Sequence, residues 1–365
     1  MPTVAQLLPL LGSEYEAKCV EFNIMQRKRK VEAPADLMLL CLLHLINGCS
    51  LVNISEIARL SNIADISDVA FMKKFALCGE WFEWITSQIV TQELTNYTKP
   101  PYLSAYRPIA VDASDVVEKG RSGETYRLHY AIDIFSLQSR AYKITKEAVG
   151  ESLTNFEFEE GDLVMGDRVY GTITGILHCL NCGADYILRL RSKCFNMYDI
   201  DGNKIDVLSE LKDLKYEESA EFTGYIHSAK AGDIPVRVCA RRKDKEACEK
   251  ARKQMARKES RKQRTFSDEA KKLDEYIVVV TSLPQSVSAD SILETYRYRW
   301  QIENLFKRLK SIMNFGDLPK KSEASSLSWL KGKLMVALLM EMLISGSFIS
   351  PYSDFEEGSQ YLEGV

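Results

Sequence analysis

Two short apolar runs, each leading directly to an aspartate, constrain the fold of this 365-residue chain more than any other feature. The first run, residues 109–111, precedes Asp112, and the second, residues 162–166, precedes Asp167. Short apolar runs between turn signals are typical of buried strands. The neighbouring predicted elements are strands at 126–135 and 140–145, a helix at 172–182 and a strand at 184–190. Three strands in series, followed by a strand, a helix and a strand, predict an α/β fold with a mixed sheet.

A third acid, Glu303, lies in a run with helical periodicity, YRYRWQIENLFKRLK at residues 296–310. At about 100° per residue, one face spanning roughly 80° carries Tyr296, Arg299, Glu303, Lys307 and Lys310. The other side carries Ile302, Leu305, Phe306 and Leu309, which predicts that it packs on a sheet. Periodicity alone is compatible with an ordinary amphipathic helix with a solvated face. The spacing Y-x2-R-x3-E-x6-K distinguishes this run.

This spacing resembles the Y-R-E-K signature of DDE transposases of bacterial insertion sequences, in the insertion-sequence-four family. The run GDLVMGDRVYG at residues 161–171 resembles the second-aspartate motif of that family. The resemblance covers roughly residues 105–345 and is loose in the N-terminal region. It implies a ribonuclease-H-like catalytic core interrupted by a β-rich insertion, with an N-terminal helical domain. It also implies a transposase that binds the terminal inverted repeats of its element, cleaves the ends and joins them to target DNA.

The resemblance assigns catalysis and metal binding to Asp112, Asp167 and Glu303. Phosphodiester cleavage and joining are in-line displacements, and two divalent ions stabilise both the attacking and the leaving oxygen. Carboxylates are the ligands that Mg²⁺ prefers, so we expect Mg²⁺, with Mn²⁺ as a substitute. Both Asp112 and Asp115 are candidates for the first acid. Asp112 is preferred because it directly follows the apolar run, and Asp115 is then expected to cap a helix or turn.

Contacts to double-stranded DNA, at the transposon ends and at the target, are also implied by the resemblance. Tyr296, Arg299 and Lys310 then contact phosphates near the cut, and Lys307 is added because it shares their face. A homodimer is expected in the DNA complex, because two ends must be brought together. Two other functions use the same features: a ribonuclease-H-like metal-dependent nuclease without strand transfer, and an inactive DNA-binding relic of a transposase.

The chain divides at composition breaks, such as the Thr98-Lys99-Pro100-Pro101 run. Residues 1–104 are predicted to be helical, forming either a helix-turn-helix or another helical bundle, with Ser55 and Ser67 as N-caps. The other predicted segments are the first part of the core at 105–190, an insertion with a basic helix at 191–275, the second part of the core at 276–350 and an acidic tail at 351–365.

The formal net charge of −3 means that DNA binding must rely on local basic surfaces. Residues 241–264 hold twelve bases and four acids. This excess is too large for internal pairing to cancel, which favours a phosphate contact over a salt-bridged, solvated helix. Residues 27–30 form a smaller basic cluster.

Nine cysteines without regular spacing favour a reducing, cytoplasmic location, with nucleoid association when DNA is bound. Cys179 and Cys182 form one C-x2-C pair near His178 and Cys194. Zinc sites usually need two such pairs, so buried thiols are favoured. The apolar segment 334–344 is short and contains Glu341, which predicts a buried helix and no membrane span.

Overall fold

The computed structural model describes residues 4–25, 30–90, 98–118, 123–191, 195–319 and 322–344. Most of the basic cluster at 27–30, Cys194 and the acidic tail at 351–365 lie outside the described residues. The described α-helices are α1 (Tyr15–Glu21), α2 (Pro34–Asn47), α3 (Leu51–Leu60), α4 (Asp68–Leu77), α5 (Gly79–Val90), α6 (Ile173–Asn181), α7 (Val207–Leu211), α8 (Lys245–Lys262), α9 (Asp268–Leu273), α10 (Ala289–Arg297), α11 (Trp300–Ile312) and α12 (Glu323–Ile344). Short 3-10 helices occupy Val4–Leu11, Pro101–Leu103 and Leu153–Asn155.

Eleven strands of the described chain form one mixed sheet. They are β1 (Arg107–Glu118), β2 (Thr125–Asp133), β3 (Ser139–Lys146), β4 (Asp162–Gly166), β5 (Asp185–Arg189), β6 (Met197–Tyr198), β7 (Lys204–Ile205), β8 (Ser219–Ser228), β9 (Gly232–Arg242), β10 (Tyr276–Thr281) and β11 (Asp317–Leu318). Their order is β3-β2-β1-β4-β5-β10-β9-β8-β6-β7, and β11 pairs with the end of β1.

The first five strands have the ribonuclease-H-like arrangement, so the predicted fold is confirmed. Strands β1, β2 and β3 form an antiparallel meander. Strand β4 lies parallel to β1 on the other side, and β5 lies parallel to β4. Helix α6 connects β4 to β5, as parallel neighbours require. Its N-cap is Thr172, whose Oγ1 accepts a hydrogen bond from the Gly175 amide at 3.1 Å.

The insertion continues the core sheet. Strand β10 pairs antiparallel with β5 of the core on one edge and with β9 of the insertion on the other. Its sequence, YIVVVT, is almost entirely buried, as expected for a central strand rich in β-branched residues. The predicted domain boundaries near 190 and 275 therefore fall inside one hydrogen-bonded sheet.

Helix α12 packs with the N-terminal helices α2, α4 and α5. These helices share one apolar core with α10, α11 and one face of the sheet, while α6 and the insertion cover the other face. The buried helix predicted at 334–344 is thus the second half of α12. Within the described residues, no helix combines the length and apolarity needed to span a membrane.

Of the two N-caps predicted for the N-terminal helices, one is confirmed and the other is wrong. Ser67 caps α4 as predicted, with its Oγ accepting from the Ala70 amide at 3.4 Å. Ser55 does not cap α3, because it lies inside the helix and donates to the Val52 carbonyl at 2.8 Å. The cap of α3 is Ser50, which accepts from the Asn53 amide at 3.1 Å. The assignment of α3 and α4 as a helix-turn-helix stays a prediction.

Gly332 allows α12 to pass closely over α2 and α5. A β-carbon there would lie 2.7 Å from Leu45 Cδ1 and 3.0 Å from two ring atoms of Phe82, and both of those side chains are fully buried. We expect Gly332→Ala to destabilise the fold by about 1–3 kcal/mol through overpacking, as measured by urea unfolding. Helix propensity alone predicts the opposite sign, a gain of about 1 kcal/mol. A stabilised variant would therefore contradict the close approach.

Candidate active site

The pairing of β1 with β4 brings the two aspartates together. The strands are parallel and in register, with Ala110 opposite Met165. Two residues further along each chain, Asp112 and Asp167 lie side by side where β4 has just ended. Ala110 belongs to the core that includes α11, and Asp112 lies on the same face because side chains alternate along a strand.

Asp112 differs in one respect from the sequence prediction, because it does not end its strand. Strand β1 continues to Glu118, since its second half pairs with β2 as an antiparallel ribbon after β4 has stopped. The Oδ1 atom of Asp112 accepts a hydrogen bond from the Ala113 amide at 2.8 Å. The carboxylate is thus anchored beside a continuous strand.

Asp167 lies in a tight turn that two glycines permit. A β-carbon on Gly166 would come within 2.7 Å of Tyr170 Cβ, and one on Gly171 within 2.4 Å of the Arg189 carbonyl oxygen. Asp167 closes the turn itself, because its Oδ1 accepts from the Val169 amide at 2.8 Å. These contacts explain the spacing of the G-D-R-V-Y-G motif.

The signature run is two helices and not the single helix predicted. Tyr296 lies in α10, and Glu303, Lys307 and Lys310 lie in α11. Between them the backbone bonds are of the tighter i to i+3 type, including Arg299 N to Tyr296 O at 3.1 Å. The bend lets the Tyr298 side chain pack against Phe135, with ring centroids 5.3 Å apart.

The apolar face of α11 packs on the sheet as predicted. The residues Ile302, Leu305, Phe306 and Leu309 are all buried. Phe306 contacts Tyr130 of β2, with ring centroids 6.3 Å apart. The opposite face leaves Glu303, Lys307 and Lys310 exposed. A phosphate contact by either lysine stays a prediction.

Tyr296 is buried and attaches α10 to the second aspartate. Its hydroxyl donates to the Gly166 carbonyl at 3.3 Å, one residue before Asp167. Burial raises the pKa of Tyr296, so the hydroxyl remains a donor at neutral pH. In this arrangement Tyr296 holds the backbone just before Asp167. Its phosphate contact stays a prediction.

Arg299 is the cation that faces the acids. Its Nη2 lies 2.5 Å from Glu303 Oε1, and its side chain is only 12% exposed against 48% for Glu303. Burial acts to lower the pKa of Arg299, but Tyr296, Glu303 and Asp112 together raise it above its usual range. Its Nε is buried and has no hydrogen-bond partner among the described residues.

Asp112 holds its proton more tightly than an exposed aspartate does. Burial is the main cause and raises its pKa to about 7. The bond from Ala113 opposes this shift, the negative charge of Asp167 adds to it, and the positive charge of Arg299 again opposes it. Two adjacent acids, one of them with a raised pKa, are suited to a partner of high positive charge, because such a partner favours their charged forms.

The donor set suits a hard divalent cation. Asp112 and Asp167 follow the paired residues Ala110 and Met165 by two positions each, and carboxylate oxygen is the preferred ligand of Mg²⁺ and Mn²⁺. In the parts of the chain that the structure describes, no three acidic, cysteine or histidine side chains gather into a complete ligand group. Glu303 instead pairs with Arg299 on the adjoining helix. The cysteine pair is elsewhere: Cys179 is buried in α6, and Cys182 is the residue that ends it.

Several neighbours of the aspartates were not singled out in the sequence. Arg127 of β2 binds Asp115 across the strands at 2.8 Å, so Asp115 forms an ion pair and does not cap a turn. Glu151 approaches the same arginine at 3.9 Å from the loop after β3. The hydroxyl of Tyr170 is buried near these acids. These neighbours depend on which residues lie opposite each other in paired strands. A single sequence gives no signal for that pairing.

The insertion is attached directly to the turn that holds Asp167. Arg168, the residue after Asp167, binds Asp274 at the end of α9, with 2.5 Å between Nη2 and Oδ1. Arg189 of β5 lies nearby and is largely buried. Burial and the charge of Arg168 lower the pKa of Arg189. Arginines therefore line the side of the site that faces the insertion.

The basic segment forms α8 and the end of β9. Helix α8 buries only Cys248 and Ala251. Its bases, all exposed, are Lys245, Lys250, Arg252, Lys253, Arg257, Lys258, Arg261 and Lys262. Among the described residues, Arg252 is the one base of α8 with an ion pair, to Glu275 at 2.6 Å. Internal pairing thus leaves most of the positive charge of this helix facing solvent.

The raised pKa of Asp112 predicts a pH-dependent effect on stability. The folded state binds this proton with a pKa of about 7, against 3.8 for the ordinary group, so stability falls as pH rises from about 4 through 7. Asp112→Asn removes this loss and keeps the acceptor for Ala113. We expect the variant to gain on the order of 1–3 kcal/mol at about pH 8 and nothing near pH 3.5, in urea unfolding without metal.

The matched control is Asp115→Asn, which loses an ion pair and should gain no stability at the higher pH. An Asp112→Asn effect of equal size at both pH values would contradict the proposed origin of the shift.

Comparison with known proteins agrees with this architecture. The family model described as "Transposase DDE domain" matches residues 103–339, from just before β1 into α12. The transposase of insertion sequence element IS421 from Escherichia coli is 28% identical over 347 residues, which cover 93% of this chain and 92% of that protein.

Two further relatives are similar to this chain, one over most of its length and one over about a third of it. The InsL protein of insertion sequence element IS186A from Escherichia coli strain K12 is 28% identical over 346 residues, covering 93% of this chain and 92% of that protein. The transposase of element IS231F from Bacillus thuringiensis subsp. israelensis is 30% identical over 140 residues, covering 37% of this chain and 28% of that protein. This chain belongs to the DDE transposase family, whose members are divalent-metal-dependent enzymes that cleave and join DNA.

Proposed function

We propose that the protein binds the terminal inverted repeats of an insertion sequence, cleaves the DNA at these ends and joins them to a target by two-metal phosphoryl transfer. The observation that carries this proposal is the parallel register of β1 and β4. It puts Asp112 beside Asp167 on the sheet face that α11 covers, and α11 carries Glu303.

The proposed roles follow from the charges at the site. Asp112, Asp167 and Glu303 hold Mg²⁺, for which Mn²⁺ substitutes, and the ions stabilise the attacking and leaving oxygens when bound. Glu303 is paired with Arg299 in the described structure, and the proposed mechanism has this ion pair open when Glu303 joins the aspartates. Opening that pair frees the guanidinium, and a bidentate guanidinium is well suited to a DNA phosphate. In this proposal the ion pair between Arg299 and Glu303 is replaced by a metal contact of Glu303 and a phosphate contact of Arg299.

The DNA backbone is proposed to run over two basic surfaces. Lys307 and Lys310 extend from α11 beside Glu303, and both are exposed. The second surface is the exposed face of α8. A direct phosphate contact by Tyr296 requires its bond to the Gly166 carbonyl to open, so its role in the described state is to support the backbone before Asp167.

Two copies of the chain are proposed to act together on two transposon ends. The mass of the complex formed with end-bearing DNA distinguishes one copy from two.

The acids are tested by cleavage and strand transfer on DNA that carries the terminal repeats of the source element. Asp112→Asn, Asp167→Asn and Glu303→Gln should each reduce cleavage by at least a hundredfold with Mg²⁺ or Mn²⁺, while end binding stays within about threefold. Glu294→Gln, which removes a partly buried acid of α10 that pairs with Arg297, is the matched control and should remain active. Full activity in any one of the three variants would remove that residue from the site.

The same assay separates the competing functions. Cleavage without joining would favour a nuclease, and end binding without cleavage in the wild type would favour an inactive relic.

The α8 surface is tested by the salt dependence of DNA binding. The double variant Arg257→Gln/Lys258→Gln removes two exposed charges from the helix. We expect weaker binding and a slope of log K against log salt that is shallower by about 1–2, because fewer counterions are released. The control Lys143→Gln/Lys230→Gln removes the same charge from β3 and from the turn between β8 and β9. An α8 variant with the wild-type slope would exclude this helix from the interface.

A further inference from the structure

One face of strand β9, in the insertion, holds the helix that leads into the signature run. Side chains alternate along a strand, so Arg237, Cys239 and Arg241 share one face of β9. Cys239 belongs to the same buried core as Ile292 and Leu293 of α10, and α10 packs on β9. The two arginines therefore lie on the side of the insertion that α10 covers.

Arg237 fixes the loop that connects β10 to α10. Its side chain is only 6% exposed, and its Nη1 donates to the carbonyls of Pro284 and Val287, each at 2.8 Å. Glu221 of the neighbouring strand β8 accepts from Nε at 3.2 Å and also from Nη2. A planar guanidinium can serve these three acceptors at once, whereas an ammonium group donates from a single atom. The loop is thereby joined to two strands of the insertion.

A second arginine on the same face holds the first turn of α10. Arg241 Nη2 donates to Asp290 Oδ1 at 2.8 Å, and its Nε donates to Ser219 Oγ of β8 at 3.0 Å. Asp290 is 67% exposed, so this ion pair by itself contributes little to stability. Together with Arg237 it fixes both the loop and the start of α10 against the insertion.

The other end of α10 reaches the candidate site. Tyr296 in its last turn donates to the Gly166 carbonyl, just before the turn of the second aspartate. Backbone bonds then continue from α10 into α11, with Arg299 N donating to Tyr296 O at 3.1 Å and Ile302 N to Arg299 O at 3.2 Å. Glu303 lies in the first turn of α11. Because the backbone bonds are continuous, a displacement of α10 is transmitted to the turn that carries Glu303.

Resting on the proposed function, we propose that Arg237 is a positioning residue for the reaction. By holding the loop before α10, it sets the position of α10 and α11 and, through them, that of Glu303 relative to Asp112 and Asp167. Arg237 acts through Glu303 and does not itself contact the reacting atoms. The insertion thus has a second role besides DNA binding, because its β9 face keeps the third acid in place.

The first test is hydrogen–deuterium exchange of the intact protein in EDTA without DNA, comparing the wild type with Arg237→Lys. Lysine keeps the charge, but it cannot serve both carbonyls and Glu221 in the same geometry. We expect amide exchange to be about fivefold faster in α10 and also in residues 301–306 of α11. The matched control is Arg107→Lys. Arg107 likewise binds a carboxylate, Asp162 at 2.9 Å, and a carbonyl, Glu160 at 2.7 Å, but at the ends of β1 and β4 remote from the aspartates. It should leave exchange in α10 and α11 unchanged.

Cleavage of end-bearing DNA is the second test. At saturating DNA, Arg237→Lys should cleave about tenfold more slowly per folded molecule and need a higher Mn²⁺ concentration for its half-maximal rate, because Glu303 is misplaced. Binding of the ends should stay within roughly threefold, since the charge is kept. Arg107→Lys should keep the wild-type rate and Mn²⁺ dependence. A role in stability alone would lower the thermal midpoint and change neither of these quantities.

The two tests separate this inference from the proposed function. Faster exchange confined to residues 282–291, or an unchanged Mn²⁺ dependence of cleavage in Arg237→Lys, would overturn the inference and leave the proposed function standing. A wild type that binds ends without cleaving them would overturn the proposed function, and exchange in α11 would still decide whether Arg237 positions that helix. If Arg237→Lys does not fold, Glu221→Gln replaces it, because it weakens one anchor of Arg237 and keeps both carbonyl bonds. Unchanged exchange in α10 and α11 of that variant would overturn the inference.

Discussion

The site depends on the parallel pairing of β1 with β4. This register sets which residue of the long strand β1 lies beside the turn that follows the short strand β4. That residue is Asp112, and it lies beside Asp167 of the turn. A slip of one residue would turn the carboxylate to the other face of the sheet, away from α11. The glycines at 166 and 171 protect this arrangement, because a β-carbon at either position would collide with Tyr170 or with the backbone of β5.

Charge compensation is the second constraint. Burial is the main cause of the raised pKa of Asp112, and the negative charge of the neighbouring Asp167 raises it further. In the described structure Arg299 supplies the nearby positive charge and simultaneously binds Glu303. Under the proposed function, a divalent cation takes over this role and releases Arg299 toward a phosphate.

The insertion is mechanically part of the catalytic core. Strand β10 joins β5 to β9 in one sheet, and Arg168 ties the turn of the second aspartate to Asp274 at the end of α9. Helix α8, with its exposed positive charge, follows β9 of this continuous sheet.

The sequence by itself determined the strands that lead to Asp112 and Asp167, the apolar face of α11, the basic character of α8 and the family signature. These features are local: periodicity, strand-end acids and motif spacing are properties of neighbouring residues. Tertiary structure decided the rest. The signature run forms two helices, with Tyr298 between them packed against Phe135. Asp115 pairs with Arg127 because an antiparallel register sets them opposite each other. Glu151 approaches Arg127 only through strand pairing and loop anchoring between distant segments, and a single sequence carries no signal for contacts of that kind.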